Sequence, residues 1–233
     1  MNLAIMQPYF LPYLGYFQLI HAVDKFVIYD DVSYMKSGWI NRNRIKNQES
    51  PQYITVPVQN GRSGVPIREV LIAKTPNNWK VKMLRTVAQS YARAPFYDEV
   101  YPIFENMIYY QLSSIAELDT HIICQICKYL GITTEISKTS SIYENSKLTS
   151  VDRVIDICEK ERASQYINAI GGRDLYSYDL FEAKGISLKF LQPILGLYAQ
   201  GGDGFVPGLS ILDILMNLGA EGARTQLDQF KLL

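Results

Sequence analysis

The apolar positions change period several times along the chain, and each change marks an element. Leu3-Ala4-Ile5-Met6 is a short continuous apolar run, the pattern of a strand buried on both faces. It enters a polar loop, residues 7–16, punctuated by Pro8 and Pro12. Helical spacing follows over residues 17–23, then a second apolar run, residues 25–29, ending at Asp30-Asp31. Strand, loop, helix, strand predicts a βαβ unit of a parallel sheet. The carboxyl ends of such strands collect ligands. Here those ends carry Gln7, Tyr9, Tyr13, Tyr16 and the two aspartates.

Beyond this unit the pattern predicts a hairpin, residues 43–47 and 52–58, around the polar bend Gln48-Glu49-Ser50-Pro51. Pro57 argues for an edge strand or a strand end. A turn at residues 60–64 leads to a further short strand, residues 68–72. From Asn78 the period becomes helical, with Trp79, Met83, Val87 and Tyr91 on one stripe. Helices are expected to residue 94, over 98–111 and over 113–130, the last closed by Gly131.

The final third returns to alternation. Strands are expected at 132–137, 165–169 and 186–191, with helices at 150–161, 179–184 and 211–218. Gly171-Gly172 reads as a turn, Ser210 as the cap of the last helix and Gly219 as its end. Alternating strands and helices predict an α/β chain with a Rossmann-like layered sheet and a helical middle segment. No linker or repeat interrupts it. One domain, residues 1–233, is the expectation, with a sheet-rich part (1–75), a helical segment (76–131) and an α/β part (132–233).

Composition narrows the function classes. Lys plus Arg and Asp plus Glu both number 23, so no net field draws the chain to nucleic acid or anionic lipid. The longest apolar runs fall far short of the ~20 residues that span a bilayer. The N-terminus lacks a basic run and breaks at Pro8, unlike a secretory signal, so a cytoplasmic protein is expected. Three cysteines make no disulfide framework. Seventeen tyrosines suit a wet, amphipathic pocket.

Three clusters carry candidate chemistry. Asp30-Asp31 at a strand end offers a general base or a metal ligand, and neighbouring side chains on extended backbone point opposite ways, so one of the two is expected to enter a pocket. The run Trp39-Ile40-Asn41-Arg42-Asn43-Arg44, with Lys36 nearby, places both arginines on one face and both asparagines on the other. Guanidinium forks bind phosphate, amides read sugar hydroxyls or an oxyanion, and Trp39 can stack on a base or sugar. Arg42 and Arg44 are expected to line one pocket with Gln7 and the aspartates. The third cluster is the glycine-rich stretch 198–204 containing Gln200, with Ser210 and Asp213 in the first turn of the helix behind it; capping alone explains the last two. His121, Cys124 and Cys127 align on one helix, but their apolar surroundings favour packing over a metal site, and no metal is expected. Without a histidine beside a serine, a serine triad has no support.

Tyr13-Leu14-Gly15-Tyr16 sits where nucleotidyltransferases of the HIGH-motif superfamily place a His-x-Gly-His element that meets phosphates. Tyrosine carries no positive charge there at neutral pH. Taken together, residues 7–16, Asp30-Asp31-Val32, residues 39–44, Thr55-Val56-Pro57-Val58 and residues 208–213 resemble the WbqC-like protein family. Tyr13, Asp31, Asn41, Arg42, Asn43 and Arg44 match the family pattern. The resemblance implies a place among bacterial O-antigen and surface-polysaccharide genes, beside amino-sugar enzymes. It implies a transferase that adds an acyl or aminoacyl group to the amine of a nucleotide-linked amino sugar. Coenzyme A, a carrier-protein thioester or an aminoacyl-tRNA would supply that group, and an acyl carrier protein would be a partner. Two other classes stay open: a nucleotidyl- or glycosyltransferase with a degenerate phosphate loop, and a non-catalytic sugar-nucleotide-binding partner.

Overall fold

A computed structural model describes residues 1–47, 50–75, 77–201 and 204–233. In chain order the elements are β1 (Asn2–Met6), α1 (Leu14–His21), β2 (Lys25–Ile28), β3 (Arg42–Ile45), β4 (Gln52–Thr55), β5 (Val58–Gln59) and β6 (Leu71–Ile72). Three helices follow: α2 (Trp79–Tyr91), α3 (Tyr97–Tyr109) and α4 (Ile115–Leu130). The remainder alternates: β7 (Glu135–Ser137), α5 (Ser150–Lys160), β8 (Gln165–Ala169), α6 (Tyr178–Glu182), β9 (Ser187–Pro193), α7 (Ile211–Arg224) and β10 (Phe230–Leu232).

Six strands form the main sheet in the order β10-β9-β8-β1-β2-β7. All pairs are parallel except β10 on β9. Leu3 sits opposite Lys25 and Met6 opposite Ile28, so the opening unit is the expected parallel pair. The fold is α/β with Rossmann-like layering. Period-two alternation feeds both faces of the sheet. Ala4, Phe26, Ile28 and Ile167 face the large core built with α1–α4 and α7. Leu3, Ile5, Val27, Tyr166, Leu188 and Phe190 face the core under α5 and α6. Phe26 is fully buried, and its truncation to alanine would cost about 3–5 kcal/mol.

The order of the strands fixes where a ligand can sit. β1 leads to β2 on one side, while β8 lies on its other side and leads away to β9. Loops leaving β1 and β8 therefore diverge to opposite faces, and a crevice opens between them.

Several boundaries differ from the pattern, each for a physical reason. Helix α1 begins at Leu14 rather than residue 17, because the residues after Tyr13 are buried and helical from the start. The hairpin forms, with Arg44 opposite Tyr53, but Pro57 ends β4 early, and β5 pairs instead with β6. Residues 48 and 49 of the expected bend lie outside the described residues. Over residues 68–72 the chain makes a 3-10 turn, Ile67–Glu69, before the two-residue β6. The strand expected from residue 132 is confined to β7. At Gly219 (φ 66°) the last helix kinks and resumes; the left-handed backbone favours glycine, and a Cβ there would lie 2.6 Å from the Phe96 ring. The antiparallel β10 is too short and too exposed to show in the pattern.

Candidate functional site

A cavity of about 1090 Å³ opens at the carboxyl ends of β1, β2 and β8, over the crevice where the strand order reverses. Gln7 after β1, Tyr29 and Asp31 after β2, and Asn168, Ala169, Gly171 and Gly172 at the end of β8 form its floor. Tyr9, Tyr13, Trp39 and Tyr176 supply aromatic walls, and Thr149 and Ser150 bring the start of α5 to the opposite side. Ser150 holds a left-handed backbone (φ 50°) at that point, a conformation that non-glycine residues adopt only under constraint.

The two aspartates diverge. Asp30 turns away from the cavity, its Oδ1 accepting from Thr139 Oγ1 (2.9 Å) and from the Ser140 backbone N–H (3.0 Å). Burial raises its pKa, and these bonds oppose the rise. Asp31 faces the cavity. Its Oδ2 accepts from Arg153 Nη2 at 2.7 Å, its Oδ1 accepts from Ser140 Oγ, and both side chains of the ion pair are 7% exposed. Arg153 is held on every side: Nε donates to Asn145 Oδ1 (3.1 Å), and the guanidinium lies 5.1 Å over the Tyr29 ring. Each Asp31 oxygen keeps a lone pair beyond these bonds.

The loop from β1 to α1 is fixed from within. Asn43 Nδ2 donates to the carbonyls of Phe10 (3.1 Å) and Leu11 (2.8 Å), pinning Leu11 in a left-handed conformation (φ 45°). Tyr16 is buried, and its hydroxyl donates to the Gln7 carbonyl (2.9 Å). The Gln7 side-chain amide, by contrast, lines the cavity and bonds no group among the described residues. Tyr13 precedes α1 and folds its ring over Gly15, where a Cβ would come within 2.5 Å of it. Burial raises the pKa of Tyr9 and of Tyr13, and pushes Tyr29 up to about 12, so all three are neutral donors at physiological pH. A helix entrance covered by a neutral ring is a poor copy of a histidine phosphate loop.

The arginines expected in the pocket lie outside it. Strand alternation puts Arg42 and Arg44 on the outer face of the hairpin, where Arg42 donates to the carbonyls of Ser37 and Gly38 (3.2 Å for the latter). Neither side chain lines the cavity; Arg153 is its guanidinium. Asn41 is engaged in the core, accepting from the Tyr34 hydroxyl and donating to the Val56 carbonyl (2.8 Å each). Lys36 is exposed, away from the lining. Only Trp39 and Asn43 of this cluster reach the cavity wall.

A model of the WbqC-like protein family matches residues 7–225. The chain belongs to this family. It is also similar to the uncharacterized protein Rv1507c of Mycobacterium tuberculosis, with 35% identity over 226 residues, covering 94% of this chain and 95% of the relative. No solved structure matches.

The segments that resemble the WbqC-like family thus divide between two jobs. Gln7, Tyr9, Tyr13, Asp31 and Trp39 surround the cavity, while Tyr16, Asn41 and Asn43 hold its frame. The third cluster is structural in its contacts. Ser210 Oγ accepts from the Leu212 N–H (3.3 Å) as the cap of α7. Buried Asp213 accepts from the hydroxyls of Tyr91 (2.8 Å) and Tyr198 (2.7 Å). Gln200 bonds Val206 through both ends of its amide (2.8 and 2.9 Å); Gly202 and Asp203 of the same loop lie outside the described residues. His121 stacks on Tyr110, and burial pushes the Cys127 thiol up to about 12. Arg153, Asn168 and Tyr176 were missed as site residues. One signal existed for Arg153: a cation in the first turn of a helix opposes the macrodipole and needs an acid elsewhere.

Proposed function

We propose that this WbqC-like protein is a transferase that attaches an acyl or aminoacyl group to the amine of a nucleotide-linked amino sugar in surface-polysaccharide synthesis. One observation carries the proposal. Among the described residues a single carboxylate, Asp31, faces a large, partly aromatic cavity where the strand order reverses, held in place by Arg153 and Ser140. Such a carboxylate both attracts a sugar ammonium and accepts its proton. The freed amine attacks the acyl carbonyl, forming the C–N bond as the carbonyl electron pair moves to oxygen. The unpaired amide of Gln7 and the neutral tyrosine hydroxyls donate to that oxyanion. Collapse of the tetrahedral intermediate expels the thiolate or alkoxide of the donor, which takes up a proton. In this proposal the tyrosine and tryptophan walls stack on sugar and base, and Arg153 positions Asp31 rather than touching phosphate.

The test is mass spectrometry of amino-sugar nucleotides incubated with the protein and a panel of acyl thioesters and aminoacyl-tRNAs. The expected result is an N-acylated sugar whose formation is lost with Asp31→Asn. Tight binding with no product from any donor would support a sugar-nucleotide-binding module, a role that the closed Asp31–Arg153 pair also suits. Diphosphate release from a nucleoside triphosphate would support nucleotidyl transfer.

A further inference from the structure

The cavity lining offers no free cation for an anionic ligand among the described residues. Among the described residues Arg153 is the one Lys or Arg on its lining, and its fork is taken by Asp31 and Asn145. The nearest alternative lies just outside, on the outer face of the β3–β4 hairpin. Arg42 stacks 4.5 Å over the Tyr53 ring, Tyr53 stacks on Trp39 (6.4 Å, 27°), and Arg44 lies 5.7 Å over Trp39. Trp39 and Tyr53 are 38% and 51% exposed. The two arginines differ in what remains to them. Arg42 is fixed by two backbone carbonyls. Arg44 has a buried Nε with no partner, and no carboxylate among the described residues pairs with it. Nε itself is closed off, but the terminal guanidinium nitrogens bond no group among the described residues and stay open to a ligand. Trp39 belongs to both places, forming part of the cavity wall and part of the ladder.

We infer that this ladder binds the nucleotide end of a substrate, a phosphate taking the free fork of Arg44 and drawing it aside, and the base stacking on the Trp39 face that Arg44 now covers. Stacked aromatics accept any base, and a guanidinium fork matches phosphate oxygens. The inference rests on the transferase proposal only for what lies at the other end, where the amine would reach Asp31. A nucleoside phosphate can belong to either reactant, the sugar nucleotide or coenzyme A, and the test separates them.

Trp39 supplies the readout, because Trp79, the second tryptophan, is buried. Uridine diphosphate, thymidine diphosphate and coenzyme A are titrated into the full chain while tryptophan fluorescence is followed, with Trp39→Phe as control. At least one is expected to quench. Arg44→Gln should weaken that ligand roughly ten- to hundred-fold, with Arg44→Lys in between, while binding of the unphosphorylated nucleoside stays the same. Quenching by the diphosphates assigns the ladder to the acceptor, and quenching by coenzyme A to the donor. Absence of quenching by all three, or full affinity in a folded Arg44→Gln variant, overturns the inference. Because these are binding measurements, they stand whether or not the N-acyl product forms.

Discussion

Two buried polar clusters, one at the end of β2 and one at the start of α7, use the same residue types to opposite ends. At α7, Asp213 is fully buried, and both oxygens are taken by Tyr91 and Tyr198. Gln200 braces the adjoining loop, and Lys46 donates to the Gly204 carbonyl (2.6 Å). Asp213, Gln200 and Lys46 all find their partners inside the protein, so the cluster holds a loop against a helix. At β2, Asp31 is nearly as buried, yet its partners leave it facing open space beside the unpaired Gln7 amide. The lesson is that burial of a carboxylate does not mark a site. Unused hydrogen-bonding capacity turned toward a cavity does.

Asp31→Asn is the sharpest way to break this comparison and carries the largest expected effect. The amide still accepts from Arg153 but takes no proton, so turnover should fall by roughly 10²–10⁴. Circular dichroism on the same sample checks that the fold persists, since a buried arginine loses its counter-charge. A variant that is folded and fully active would remove Asp31 as the base.

Asp213→Ala tests the other half. It removes the acceptor of two tyrosine O–H groups, Tyr91 deep in the core, at about 1–3 kcal/mol each. The melting temperature should drop by roughly 5–15 °C. Below that temperature, the affinity for the sugar nucleotide should match wild type. A large loss of affinity with little loss of stability would make the α7 cluster part of the site.

The physical reason why part of the site was readable and part was not lies in sequence distance. The βαβ unit showed itself because residues 3–6 and 25–28 are apolar runs close in sequence. The hairpin alternation was equally local, and it sorted Asn43 from Arg44 correctly. What it does not contain is which face of the hairpin meets the sheet. That is why both arginines were expected in a pocket they stand outside. Arg153 lies 122 positions from Asp31, and only the parallel pairing of β1 with β2 and β8 brings α5 over that strand end. Tyr16 looked like a loop residue because the helix starts three residues earlier than its apolar stripe suggests.

Asp119 extends the comparison to a third carboxylate, one with neither partner nor cavity. It is fully buried on α4, and neither oxygen has a hydrogen-bond partner among the described residues. Burial raises its pKa well above the ordinary carboxylate value. The folded chain therefore holds a proton at Asp119 that the unfolded chain releases near pH 4. Above that pH the native state binds more protons, so this residue makes stability fall as pH rises, until the folded group ionises. The limiting slope is about 1.4 kcal/mol per pH unit. Asp30 and Asp213 shift in the same direction, so the difference between wild type and Asp119→Asn isolates this one group. Urea unfolding at pH 5 and pH 7 should show a smaller loss of stability in the variant; equal losses would mean that Asp119 is ionised in the fold.

The smallest expected effect belongs to Ser210, which resembles a site residue in sequence and a cap in structure. Its hydroxyl accepts from the Leu212 N–H, and its own N–H donates to the Arg44 carbonyl (2.8 Å), tying α7 to the hairpin. Ser210→Ala removes the first bond and leaves the second. The cost should be about 1 kcal/mol, within the usual range for a lost N-cap. Because Ser210 does not line the cavity, while Gly208 two residues before it does, KM for the sugar nucleotide should not change. Ser210→Asn, which keeps a capping oxygen, should recover most of the stability. A rise in KM that Asn does not rescue would place the hydroxyl on the substrate and extend the working site from the end of β2 to the start of α7.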